Sequence, residues 1–273
     1  MTPHYSFQQL PHPDLPGSPG AGLVQAGFRR YRPDAPLDAV HCSRNRPSSH
    51  QVPPMTTGPS ISPAVVFLGP SLPRAEAQGL LPPGTVLRPP LRRGDLDALP
   101  PGAIAVILDG VLEAGPRLPP EEAGRARQRG HMLLGAASTG ALLAVDPRLP
   151  PGTVLGSGRV HDLLSRGRAT EEDLVVLYAA HNLRPLTVPL VRLLCWADDA
   201  RAEGRLAPLE AEGMLAALRA LPAEERDPVT VARLLRRLLG LRAPATAGGN
   251  GPPLPDVKAE DARALLRRLR QTA

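Results

Sequence analysis

The sequence predicts an α/β fold, with a doubly wound, mostly parallel sheet followed by a helical C-terminal part. Short apolar runs of strand length alternate with segments of helical pattern between residues 64 and 156. The clearest run, at residues 103–108, shows no polar alternation. That pattern is typical of a parallel strand buried on both faces, because helices cover such a sheet on both sides.

The sheet elements follow one another in order along the chain. Pro73 suits the first turn of a helix that follows the first strand. A helix at residues 119–130 begins with Glu121 and Glu122, where the helix dipole favours acidic side chains. The predicted strands are residues 64–68, 85–87, 103–108, 131–135 and, as a candidate for the last one, 153–156.

The chain is mostly helical from about residue 188. Asp227 is a good N-cap for the last helix of this part, and Gly240 lies just past its end. Residues 174–180 fit a helix and a strand equally well. The predicted helices of this part are residues 190–203, 209–221 and 228–239.

Both ends of the chain differ in composition from the middle. Residues 1–62 are rich in proline and lack hydrophobic periodicity, so we expect a disordered arm. The α/β core with its helical extension then covers residues 63–242. A Pro/Gly linker at 243–256 leads to an amphipathic helix at 257–271, which docks on the core or on a partner, or is a solvated tail.

Composition argues against several classes of protein. The formal net charge is +6, but acidic residues are interleaved with the arginines, and aromatic residues make up only 3% of the chain, which disfavours nucleic-acid binding. The sequence contains no apolar run of 18 residues, so we do not expect a membrane span. Cys42 and Cys195 form no disulfide framework, so we expect a cytoplasmic protein with Cys195 as an inert core residue.

The histidines of the N-terminal arm do not suggest a metal site. His4, His12, His41 and His50 are scattered, and their spacing fits no known ligand pattern. No Walker or dinucleotide-binding fingerprint is present either. We therefore expect no metal and no cofactor.

Three loops converge on a candidate site, because ligands bind at the carboxyl edge of such a sheet. These loops are residues 69–72, 109–110 and 136–140. Ser138 lies on a strand-to-helix turn, where it is a nucleophile near backbone N–H groups or an N-cap of the following helix. Asp109 ends a buried strand, where it binds a polar ligand, orients a base or simply forms the turn.

The general base has two candidates among the histidines. His161 and His181 each follow an ordered segment, and each could equally be structural. We select Ser138, Asp109 and His181 as the catalytic set. The predicted substrate-binding residues are Gly69, Ser71 (alternatively a helix cap), Gly110, Thr139, Gly140 and Arg159.

Several segments together resemble the TfuA-like family. The resemblance covers roughly residues 64–240, and the order and spacing of the pieces make it specific. The sequence departs from the family pattern at Leu143 and Leu194, where charged residues are usual. The segments are residues 65–72, 88–90 with Gly94 and Asp95, 105–111, 135–142, 156–158 and 184–187.

The resemblance implies an accessory role beside a YcaO enzyme, which activates a peptide amide with ATP. TfuA-like partners are associated with thioamide formation in ribosomally made peptides, and are thought to assist sulfur delivery from a thiocarboxylated carrier protein or to stimulate the YcaO enzyme. Ser138 and neighbouring N–H groups would then face the developing oxyanion, with Asp109 and His181 nearby. The alternatives are a non-catalytic scaffold that binds YcaO or the precursor peptide, and a small-molecule α/β hydrolase.

Overall fold

The computed structural model describes residues 23–24, 64–111, 120–179, 181–246 and 252–272. Apart from Leu23 and Val24, the N-terminal arm lies outside these residues, and so do its four histidines. The strands are β1 (Leu23–Val24), β2 (Val65–Phe67), β3 (Val86–Arg88), β4 (Ile104–Ile107), β5 (Met132–Gly135), β6 (Leu155–Gly156) and β7 (Tyr178–Ala179). The helices are α1 (Arg74–Leu80), α2 (Pro120–Gln128), α3 (Thr139–Ala144), α4 (Arg159–Ser165), α5 (Leu190–Ala202), α6 (Pro208–Arg219), α7 (Pro228–Leu239) and α8 (Val257–Thr272).

Five of the strands form one sheet in the order β3-β2-β4-β5-β6, and all neighbours are parallel. Alternate residues of each central strand face opposite sides, as the pleat requires. Val66 and Val106 pack on one side with α1 and α8, whereas Phe67 and Ile107 pack on the other side with α2. This confirms the predicted doubly wound α/β fold.

The helical C-terminal part has its own apolar cluster. Helices α5, α6 and α7 pack around Leu193, Trp196 and Met214. Ala243 and Leu254, both in the predicted linker, are buried in the same cluster. A further cluster joins α3, α4 and α5, so the helical part is packed against the end of the sheet that carries the three loops.

Helix α8 returns to the sheet and covers it beside α1. Its residues Ala262 and Leu266 are fully buried in the cluster that contains Val66 and Val106. The helix therefore docks on the core of its own chain. The domain boundaries proposed from the sequence stay a prediction.

The ambiguous segment at residues 174–180 is neither one helix nor one strand. A short 3-10 helix at Glu171–Leu174 is followed by extended chain and then by β7, which pairs antiparallel with β1. Among the described residues, no helix is both long and apolar enough to cross a membrane.

Candidate functional site

Asp109 fastens the loop after β2 to the loop after β4. Its buried carboxylate accepts hydrogen bonds from the backbone N–H of Gly69 (2.8 Å) and of Ser71 (3.1 Å). The Ser71 hydroxyl donates a third bond of 2.6 Å to the same carboxylate. A Cβ on Gly69 would lie 2.6 Å from Cγ of Pro90, so only glycine leaves room for this arrangement. Asp109 therefore holds two of the three predicted site loops together.

Ser138 lies on a sharp turn between β5 and α3. Its N–H donates to the carbonyl of Ala136 at 2.8 Å, and the intervening Ala137 has φ +66°. This hydrogen bond closes a three-residue γ-turn, and the positive φ at its centre is strained for a residue with a Cβ. Among the described residues, the Ser138 side chain makes no N-cap hydrogen bond. The turn therefore presents the hydroxyl for another contact.

Close backbone approach holds α3 against the sheet. A Cβ on Gly140 would overlap the carbonyl oxygen of Ile107, and a Cβ on Gly135 would overlap that of Gly140. Gly110 faces the side chain of Thr139, and a Cβ there would lie 2.8 Å from Cγ2 of that threonine. These glycines let the helix begin directly at the strand ends, beside Ser138.

The contact that Ser138 makes comes from the other end of the chain. Nζ of Lys258, in the first turn of α8, lies 3.2 Å from Oγ of Ser138 and donates a 2.6 Å hydrogen bond to the carbonyl of Leu174. Lys258 is the only lysine in the sequence and its side chain is buried. Burial lowers its pKa to about 8, against the opposing effect of the Asp109 and Asp256 carboxylates.

This lysine has the properties of a general base. A buried amine with a lowered pKa carries a useful neutral fraction near pH 8, and a neutral amine accepts the proton of a serine hydroxyl. Ser–Lys pairs are one of the recurrent arrangements that activate a serine nucleophile. The arrangement of Ser138 and Lys258 is therefore suited to acyl transfer.

Asp261 ties the first turns of α8 to the start of α4. Its carboxylate accepts 2.8 Å hydrogen bonds from the N–H groups of Arg159 and Val160 at the start of α4. Gly158, with φ +97°, leaves the space that the carboxylate occupies. Burial raises the pKa of Asp261. Because Asp261 follows Lys258 by three residues, both lie on one face of the helix.

A small cleft opens above Ser138. Asp109, Gly110 and Thr139 line it together with the serine. The rest of its lining is mostly apolar. These further lining residues are Pro70, Leu142, Leu174, Val175, Val176 and Tyr178.

Two residues chosen from the sequence lie elsewhere. The guanidinium of Arg159 pairs with Asp199, with N–O distances of 2.7 and 3.0 Å, and also donates to the carbonyl of Cys195. His181 is exposed in the turn that follows β7. In the described part of the chain, the cleft wall includes neither of them. Burial raises the pKa of Cys195 to about 12, which keeps that thiol protonated.

Lys258 is a candidate functional residue that the sequence pattern does not predict. It lies 120 positions from Ser138, in a segment with no motif of its own. One signal was available, because the chain carries a single lysine among 32 basic residues. Arginine does not deprotonate in proteins, so this lysine differs from the 31 arginines in that its side-chain amine can lose its proton.

Comparison with known proteins supports the resemblance found in the sequence. The family model described as TfuA-like protein matches residues 109–227. The matched region begins at Asp109 and includes Ser138, whereas Lys258 lies beyond it. No curated protein matches the chain significantly. The chain is thus TfuA-like over this region, and at family level this supports a role in the YcaO-associated thioamide pathway.

Proposed function

We propose that this TfuA-like protein hydrolyses the thiocarboxylated end of a sulfur-carrier protein and so supplies sulfide to a YcaO enzyme that forms peptide thioamides. The observation that carries the proposal is the 3.2 Å contact between Oγ of Ser138 and Nζ of Lys258. Serine with a general base is the standard means of opening an acyl–heteroatom bond. The family match supports the pathway, and the site supports the reaction class.

The first step forms an acyl-enzyme. Neutral Lys258 takes the hydroxyl proton while Oγ of Ser138 bonds to the carbonyl carbon of the thiocarboxylate. The first N–H groups of α3, beginning at Thr139, have no carbonyl partner within the helix and face the developing oxyanion in this proposal. The carbon–sulfur bond then breaks, the Lys258 proton passes to sulfur, and hydrosulfide leaves.

The second step restores the enzyme. Neutral Lys258 removes a proton from water, and the resulting hydroxide attacks the ester carbonyl. Ser138 leaves with the proton that Lys258 held, and the carrier departs as a carboxylate. In sum, one thiocarboxylate and one water give one carboxylate, one hydrosulfide and one proton.

Asp109 supports this chemistry without taking part in it. The carboxylate is already engaged by Gly69 and Ser71, so it does not serve as the base. Its negative charge favours the protonated form of Lys258. Such a charge stabilises the ammonium that forms when the serine attacks.

The proposal is tested by separating hydrolysis from activation of the partner. Ser138→Ala and Lys258→Met are assayed for sulfide release from a thiocarboxylated carrier without YcaO, with Ser165→Ala on the exposed part of α4 as the matched control. We expect both site variants to lose release by about a hundredfold or more, and the control to retain it. Wild-type release from Ser138→Ala would overturn the proposal.

A second assay addresses the scaffold alternative. Thioamide formation with YcaO and exogenous sulfide should proceed with Ser138→Ala, because free sulfide bypasses the hydrolytic step. A scaffold without catalysis predicts instead that both site variants support thioamide formation from the carrier at the wild-type rate. A general small-molecule hydrolase predicts turnover of simple esters at rates that match those of the carrier.

A further inference from the structure

The structure contains a second strand pairing that lies directly beside the cleft. Leu23–Val24 pairs antiparallel with Tyr178–Ala179, with Leu23 opposite Ala179 and Val24 opposite Tyr178. Tyr178 is also one of the residues that line the cleft over Ser138. A peptide segment is therefore already held in extended conformation at the entrance to the candidate active site.

The orientation of the backbone shows which side of β7 accepts that segment. The N–H of Ala179 donates to the carbonyl of Arg184, and the carbonyl of Leu177 accepts from Leu186, so both residues face the returning chain. Backbone polar groups alternate in direction along an extended chain. The N–H and C=O of Tyr178 therefore face the opposite side of β7, where β1 pairs. By the same alternation, Val176 presents its N–H and C=O on that side. The pairing edge thus continues from Tyr178 toward the cleft wall.

The direction in which β1 runs along β7 leads toward Ser138. Since β1 passes Ala179 first and Tyr178 next, a strand in this place runs with its C-terminal end toward Val176 and Leu174. The carbonyl of Leu174 accepts the hydrogen bond from Lys258, whose Nζ also contacts Ser138. A peptide bound in this direction therefore brings its C-terminus to the Ser–Lys pair.

We propose that the Tyr178 edge of β7 binds the extended C-terminal tail of the acyl substrate by antiparallel strand pairing, in the place that Leu23–Val24 occupies. Main-chain hydrogen bonds give such pairing its affinity with little dependence on side chains. The chain's own strand then competes with the tail. The inference rests on the proposed function for the identity of the acyl group, but the binding mode does not depend on hydrolysis.

The test measures binding to the full chain of a peptide that ends, like the proposed reaction product, in a carboxylate. The probe is a fluorescent ten-residue peptide of Ser, Ala and Val with a free C-terminal carboxylate, and its Kd is followed by anisotropy. Single N-methyl groups are placed along its backbone in turn. We expect N-methylation to raise the Kd by about tenfold at alternate positions only, because every second N–H of a paired strand is bonded across the ladder.

Competition is tested in the same assay with two variants of β1. Leu23→Pro with Val24→Pro removes two backbone donors, whereas Leu23→Ala with Val24→Ala keeps them. We expect the proline variant to bind the probe about tenfold more tightly than wild type, and more tightly than the alanine variant. Equal affinities for all three proteins, or an N-methyl scan without a period of two, would overturn the inference.

The two proposals fail separately. An absent N-methyl pattern together with loss of sulfide release in Ser138→Ala removes the tail-binding mode and leaves the hydrolase. A clear pattern together with unchanged release in Ser138→Ala retains the binding edge and removes the hydrolase.

Discussion

Nζ of Lys258 lies 3.2 Å from Oγ of Ser138 across a sequence separation of 120 residues. Neither residue reaches this position by local structure alone. A strained turn at Ala137 presents the serine, and docking of α8 on the sheet supplies the lysine. The contact between Ser138 and Lys258 is therefore completed by α8, and it depends on how firmly that helix is docked.

The rate of sulfide release should rise with pH as Lys258 loses its proton. The pKa of Lys258 is lowered to about 8, and only the neutral amine accepts the serine proton. We expect kcat/KM for the carrier to increase about tenfold per pH unit below pH 8 and to level off above it. Initial rates measured between about pH 6.5 and 9.5 test this.

Lys258→Arg is the matched variant for the pH profile. Arginine keeps a cation in the site but holds its proton at every accessible pH. We expect hydrolysis to be lost across the whole range. A rising limb that survives unchanged in Lys258→Arg would show that another group titrates.

Lys258 should reduce the stability of the fold at neutral pH. Its folded pKa of about 8 is below the ordinary value of 10.5, so the unfolded state binds the proton more tightly. The penalty is full below pH 8, fades as the pH rises toward 10.5, and amounts to roughly 3 kcal/mol. Lys258→Met removes it but leaves the Leu174 carbonyl without that donor, which costs about 1 kcal/mol.

Denaturant unfolding at several pH values checks this prediction. At pH 7 we expect Lys258→Met to be more stable than the wild type by about 2 kcal/mol, with the difference shrinking toward pH 10. Ser138→Ala serves as the control, because it leaves the lysine in place and should keep the wild-type pH dependence. A methionine variant that is less stable at pH 7 and shows a constant difference would contradict the argument.

Two glycine substitutions should have opposite effects on stability. A Cβ on Gly140 would overlap the carbonyl oxygen of Ile107, so Gly140→Ala forces α3 away from the sheet. We expect it to destabilise the fold by about 3 kcal/mol or more. Gly213→Ala, in α6, meets nothing within 4 Å and should stabilise by about 0.5–1 kcal/mol. Thermal unfolding of both variants compares them directly, and similar Tm shifts would refute the close-approach argument.

The sheet could be predicted from sequence because each strand is marked by an apolar run within its own residues. The apolar run at residues 103–108 became β4, and its lack of alternation correctly indicated burial on both faces. Asp109 could likewise be placed at the carboxyl edge, because the end of a buried strand fixes that position. The Ser138 turn followed from the small residues between β5 and α3.

The partner of Ser138 could not be predicted in the same way. The histidine pattern predicts His181 as the base, yet that residue lies exposed in a turn. Lys258 comes from a helix whose docking depends on tertiary burial of Ala262 and Leu266. An amphipathic pattern shows that a helix has a face to bury, but not which surface covers it.

Asp261 should act as a positioning residue for Lys258. Its carboxylate accepts the N–H groups of Arg159 and Val160, which tie the first turns of α8 to α4. Asp261→Ala leaves both donors without this acceptor and is expected to cost about 2 kcal/mol in stability. With α8 loosened, water reaches Lys258 and its pKa moves back toward 10.5. The rising limb of the rate profile should then shift to higher pH by about one unit or more.

The pH at which the rate rises distinguishes a positioning role from a merely structural one. A merely structural role would lower the folded fraction without moving that pH. Asp261→Asn keeps one carbonyl oxygen as acceptor and should give an intermediate shift. Arg263→Ala is the matched control on the same helix, because it removes only the exposed pair with Glu76 and should cost less than about 1 kcal/mol. If Asp261→Ala keeps the wild-type limb while its activity falls in proportion to unfolding, Asp261 stabilises the fold but does not position the base.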